Sequence, residues 1–133
     1  MNTILAPVTP VLMLVDDEEG ERIAIGEFLT ELGYRVLHVD HPLLAVEQAR
    51  DSLPDMIIIK AAMAQIDGCC LCTELHSSLQ TQNIPVLMYS KEYDEDLVKR
   101  SFEAGAADYL TGPTLYWSML RNRIKQLLKL QRT

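Results

Sequence analysis

No apolar stretch in this 133-residue chain approaches the length needed to cross a bilayer, and the run from Val11 to Val15 is far too short. Met1 to Pro7 lacks the basic segment of a secretory leader, so a cytoplasmic location is expected. Cysteine is scarce. Its three copies crowd into Cys69-Cys70-Leu71-Cys72, and an odd number at that spacing argues against a disulfide framework and for a reducing compartment. Cys69 and Cys72 share a helix face, yet His38, His41 and His76 stand at no spacing that completes a zinc site, so core or half-buried thiols are expected. The chain has no glycine-rich phosphate loop, no Ser/His/Asp arrangement, no internal repeat and no long linker. All nineteen acidic residues lie at or before Asp108, whereas Arg121, Arg123, Lys125, Lys129 and Arg132 follow with no acid among them. Those cations suit the C-terminal end of a helix, with contact to a partner or a membrane as the alternative. The net charge of −7 disfavours direct binding of nucleic acid or an anionic membrane by the body of the domain.

What is present has the composition of one globular domain, 48% hydrophobic and 23% charged. Five short apolar runs alternate with five stretches of helical period, the sign of βαβ units and a parallel sheet. Strands are expected near 11–15, 34–39, 55–59, 84–89 and 106–110, and helices near 18–32, 42–51, 68–79, 93–104 and 115–131. Gly33, Pro42, Pro54, Gly68, Pro85, Gly105 and Pro113 punctuate the boundaries. In the first helix Ile23, Ala24, Phe28 and Leu32 are expected toward the sheet, with Glu21, Glu27 and Glu31 toward water. In the last helix Leu120, Ile124, Leu127 and Leu128 continue the core face, and Arg121, Lys125 and Lys129 the wet one. Residues 1–10 read as a loose lead-in to a domain over 11–131.

Two positions at strand ends pose chemical questions. Asp16 and Asp17 directly follow the first strand, placed to hold a hard cation such as Mg²⁺ if a neighbouring strand end supplies a third oxygen. An acidic helix start favoured by the dipole is the competing reading. Lys60 is the first polar residue after the third strand, where open parallel sheets gather their chemistry. A charged lysine there can neither accept a phosphoryl group nor ligate a metal.

Over roughly residues 10–130 the chain resembles the receiver domain of bacterial two-component response regulators. The residues that carry the resemblance are Asp16-Asp17, Pro54-Asp55, Met63, Asp67-Gly68, Ser90 and Gly105-Ala106-Ala107-Asp108-Tyr109-Leu110 with Pro113, in that order and spacing. The resemblance implies a flavodoxin-like (βα)5 doubly wound α/β sheet of strand order 2-1-3-4-5 and an Mg²⁺ site at the acidic pair. It also implies a phosphoaccepting aspartate at the end of strand three, a hydroxyl at Ser90 and an aromatic switch at Tyr109. Three departures fall inside that site: Lys60 at the phosphoacceptor position, Ala64 where a proline is usual, and Gly112 where a lysine is usual.

Charge counting makes such a pocket stable. Two carboxylates about 4 Å apart repel by roughly 4 kcal/mol at an effective dielectric near 20, and a lysine at similar distance attracts each by a comparable amount. Lys60 is therefore expected within reach of Asp16 or Asp17, replacing a metal and compensating for Gly112. A lysine that snorkels to solvent is the alternative. Ser90 and Tyr109 either retain a switch or serve as packing alone.

The expected function is a degenerate receiver, a signalling and interaction domain of a response regulator that is not an enzyme, needs no cofactor and does not follow the aspartyl phosphorylation cycle. Only a residual weak Mg²⁺ site at Asp16 and Asp17 is expected. Partners are expected to be proteins or a same-chain output domain, of diguanylate cyclase type by a weaker similarity over residues 111–123, so that the chain forms the N-terminal part of a longer one. The resemblance points to helix four, strand five and helix five as the contact or homodimer face, including Tyr93, Leu97, Arg100, Tyr109, Tyr116 and Trp117. Two alternatives stay open: phosphorylation on Asp16 or Asp17, and a small-ligand sensor in the strand-end crevice.

Overall fold

A computed structural model describes residues 8–112 and 116–131. Its elements run β1 (Val11–Val15), α1 (Glu19–Glu31), β2 (Arg35–Val39), a 3-10 turn (Pro42–Leu44), α2 (Ala45–Ser52) and β3 (Met56–Lys60). They continue with α3 (Gly68–Ser77), β4 (Val86–Ser90), α4 (Glu95–Glu103), β5 (Asp108–Thr111) and α5 (Tyr116–Gln131). The strands pair in parallel in the order β2-β1-β3-β4-β5. This is the flavodoxin-like doubly wound sheet of order 2-1-3-4-5 that the sequence leads one to expect. The expected lead-in falls mostly outside the described residues.

Because both faces of a doubly wound sheet are covered, its central strands read as unbroken apolar runs, and alternate side chains enter different cores. Met13, Val15, Ile57, Ile59, Val86 and Met88 pack on one side with Leu71 and Leu75 of α3. Leu12, Leu14, Ile58 and Leu87 pack on the other with Ile25 and Leu29 of α1 and Leu120, Ile124 and Leu128 of α5. Register places Val15 beside Ile59, Lys60 beside Tyr89 and Ser90 beside Thr111, so the C-terminal ends of four strands share one edge.

The stripe of α1 differs from the expectation. Arg22, Ile25, Gly26 and Leu29 are buried, whereas Ile23 and Ala24 face outward. His38 of β2 explains part of the shift: it lies over Gly26, where a Cβ would come within 2.4 Å of the imidazole. Gly68 is the other close approach, since a Cβ there would sit 2.6 Å from the Lys60 carbonyl oxygen. Its bareness brings the start of α3 against the end of β3.

Candidate functional site

β1 carries Asp16 into a fully buried position at the sheet edge. Its Oδ1 accepts from the Glu18 N–H at 2.9 Å, and its other oxygen accepts a very short hydrogen bond from the Tyr89 hydroxyl. The Arg22 guanidinium closes the turn on the Asp16 carbonyl at 3.0 Å. Burial and contact with Glu21 push the Asp16 carboxyl up to about 7, although Tyr89 and the Glu18 N–H pull it the other way.

Asp17 goes elsewhere. Its Oδ2 accepts from the Ala64 N–H at 2.8 Å, tying the loop after β1 to the loop after β3. A proline at 64 has no N–H to give, so two departures from the family pattern, at 60 and 64, each supply a partner to the acidic pair.

Lys60 extends from the end of β3 with its side chain only 16% exposed. Its Nζ lies 3.8 Å from Asp16 Oδ1, but 3.2 Å from Glu18 Oε2 and 3.2 Å from Glu21 Oε1. Lys91, next after β4, contacts the same two glutamates at 3.4 and 3.3 Å. Two lysines and two glutamates thus form a closed ring of alternating charge, with Asp16 beneath it. Desolvation lowers the Lys60 pKa, but Glu18, Asp16 and Glu21 outweigh it and hold the ammonium above its ordinary value. The Lys60–Glu21 edge is the desolvated one, as Glu21 is 12% exposed, while Glu18 is 49% and Lys91 62% exposed.

Glu21 was expected toward water, and Glu18 and Lys91 carried no expected role. The missed signal is spacing: Glu18 and Glu21 are three residues apart at the start of a helix that begins beside β3, so one face holds both. Tyr89 was also missed, because an apolar-run reading hides a tyrosine whose hydroxyl reaches a neighbouring strand end.

The site does not fit a hard divalent cation. Mg²⁺ needs near-octahedral oxygen ligands. Here the Asp16 oxygens accept hydrogen bonds, Asp17 is turned to Ala64, and position 60 offers an ammonium. No group of three or more His, Cys, Asp or Glu suited to a metal occurs among the described residues.

Tyr109 is buried and donates to Ser90 Oγ at 2.6 Å, and Ser90 donates onward to the Glu92 carbonyl at 2.8 Å. Both hydroxyls are therefore engaged within the protein. A crevice of about 500 Å³ opens before Lys60 and Ser90 toward α4. Gly112 has φ +105°, and a Cβ there would meet none of the described residues within 4 Å.

The residues expected on the contact face do not all face outward. Tyr93 is 69% exposed, but Leu97, at 7%, belongs to the core and offers nothing to a partner. Arg100 binds Asp67 at 2.7 Å and Asp96 at 3.0 Å, fastening α4 to the start of α3. Trp117 turns to α1, its ring centroid 4.6 Å from that of Phe28. Tyr116 begins α5, and its side chain lies outside the described residues. Two of the three thiols are buried, and Cys70 is exposed: Cys69 meets Ser101, and burial pushes the Cys72 thiol up to about 12. Among the described residues no helix is long and apolar enough to cross a membrane.

The sequence pattern of the response regulator receiver domain matches residues 12–125. The chain is 28% identical over 120 residues to the transcriptional regulatory protein AfsQ1 of Streptomyces coelicolor, covering 90% of this chain and 52% of that protein. It thus spans about half the length of that relative. Over 105 residues it is 32% identical to the two-component response regulator ORR3 of rice, Oryza sativa, covering 78% of this chain and 80% of that one. The signal receiver domain of a signal transduction histidine kinase from Syntrophus aciditrophicus superposes with a TM-score of 0.82 at 30% identity, covering 91% of each chain. With the sheet order, the strand-end residues and these likenesses in agreement, the chain belongs to the response regulator receiver domain family of two-component signalling.

Proposed function

We propose that this chain is a pseudo-receiver, a signalling and protein-interaction domain that works without aspartyl phosphorylation and is not itself an enzyme. The observation that carries the reading is Lys60 in the ring with Glu18, Lys91 and Glu21. A carboxylate is the nucleophile such a transfer needs, and an ammonium held above its usual pKa has no lone pair to offer. The Tyr109–Ser90–Glu92 chain of hydrogen bonds supports the same reading, because the hydroxyl that would meet a phosphoryl oxygen is already spent.

Its output passes through surfaces, in the cytoplasm of a bacterial cell, to a protein partner or to a same-chain output domain of diguanylate cyclase type. The region of α4, β5 and α5 is the docking or homodimer face, with Tyr93 as its exposed anchor. Incubation with acetyl phosphate and Mg²⁺, followed by intact mass measurement, tests the reading. No added mass is expected. An acid-stable, base-labile adduct on Asp16 or Asp17 would overturn it in favour of a non-standard acceptor.

A further inference from the structure

A second cavity, of about 370 Å³, lies on the α1 and α5 side of the sheet at the end of β4. That size falls in the range of small-molecule pockets, roughly 300–1,000 Å³. Ala24, Ile25, Tyr89 and Trp117 give it apolar walls, and Glu21, Lys91 and Glu92 supply charge. Gly112 forms part of the lining, where its positive φ disfavours any side chain. Contact with Phe28 steadies the Trp117 ring, which remains 39% exposed.

The charge at this site is not balanced. Lys91 is engaged by Glu18 and Glu21, whereas the Glu92 carboxylate has no hydrogen bond or ion pair among the described residues. The net rim charge is therefore negative, beside an indole face that attracts cations. The whole-chain charge of −7 adds to the same preference. We infer that this cavity binds a small organic cation of the arylalkylammonium class, its ring against Trp117, Ala24 and Ile25 and its ammonium paired with Glu92. The site lies on the α1 and α5 side and adjoins the crevice before Lys60, with which it shares Ser90, Lys91 and Glu92, and its test involves no phosphodonor.

Trp117 is the only tryptophan, so its emission reports directly on the cavity. Phenethylammonium is titrated into the native chain, with 3-phenylpropionate at matched ionic strength as the probe of the same ring and opposite charge. A saturable change in emission is expected with the ammonium and none with the carboxylate. Glu92→Gln weakens binding roughly three- to fivefold, the effect of one partly exposed ion pair. Ala24→Phe, which fills the cavity from an outward-facing position, abolishes it while the circular dichroism stays native. The inference is overturned if the native chain shows no saturable change, if 3-phenylpropionate binds equally well, or if both variants bind as the native chain does. Should Ala24→Phe misfold, the Glu92→Gln comparison decides alone.

Discussion

Lys60 Nζ stands 3.2 Å from Glu21 Oε1, an ion pair that joins the end of β3 to the first turn of α1. Both side chains are largely withdrawn from water, so the pair is not equivalent to a surface salt bridge. Its removal from one side strands the other charge. Lys60→Met is expected to lower stability by about 2 kcal/mol, less than for a fully buried pair because residual exposure screens it and Lys91 remains nearby. Glu18→Gln, on the exposed edge of the ring, is expected to leave the midpoint nearly unchanged. Urea unfolding of both variants checks the contrast, and equal midpoints would show that the ring is decorative.

Asp16 predicts a pH dependence of opposite sign to the usual carboxylate. Its folded pKa is raised from 3.8 to about 7, so the folded chain holds a proton that the unfolded chain releases across that interval. Stability therefore falls as pH rises from about 4 to about 7, by on the order of 2 kcal/mol after allowance for screening. Asp67 and Glu18, held low, add stability already gained by about pH 5, below most of this window. Asp16→Asn is expected to flatten the fall, matching the native chain near pH 4 and exceeding it near pH 8. Unfolding curves at several pH values give the slope, and a native curve rising through this interval would contradict the prediction.

Repair of the phosphoacceptor separates one lost residue from a pocket rebuilt around its loss. Lys60→Asp is expected to recover measurable Mg²⁺ binding, since the competing ammonium is replaced by an oxygen ligand. Phosphorylation is expected to stay poor, because Gly112 supplies no cation to the transferred group, a deficit of a few kcal/mol for one missing preorganised donor. The double variant with Gly112→Lys should label faster but fold less stably, by about 1 kcal/mol, because a lysine must adopt φ +105°. Acetyl phosphate labelling rates test this; equal rates for single and double variants would defeat it.

Asp67 holds two elements at once. It accepts the Cys69 N–H at 2.8 Å as the cap of α3 and pairs with Arg100 of α4 at 2.7 Å. Asp67→Ala is expected to cost about 1–2 kcal/mol, whereas Asp67→Asn keeps the cap and recovers most of it. Thermal melts of the pair distinguish capping from charge: equal losses would assign the whole effect to the ion pair.

The sheet was legible in the chain because its signal is local. Unbroken apolar runs such as Met56 to Ile59, punctuated by Pro54 and Gly68, leave few alternatives to parallel strands buried on both faces. The core face of α5 was legible for the same reason, as Leu120, Ile124 and Leu128 follow a single period. Boundaries were less so. β5 starts at Asp108 rather than near 106, and α4 waits for its Asp94 cap, whose side chain accepts the Leu97 N–H at 3.1 Å.

By itself the sequence determined that position 60 carries a cation beside an acidic pair, since strand ends in this architecture converge whatever the side chains are. Only the tertiary structure decided which acids answer that cation. The register of β3 beside β1 and β4, and the approach of α1, bring Glu18 and Glu21 closer to Lys60 than the adjacent carboxylates at 16 and 17. Tyr89 claims one oxygen of Asp16 and the Ala64 N–H claims Asp17, contacts across 73 and 47 residues of chain. Electrostatic partners are chosen by distance and dielectric in three dimensions, and neither quantity is written in a local pattern.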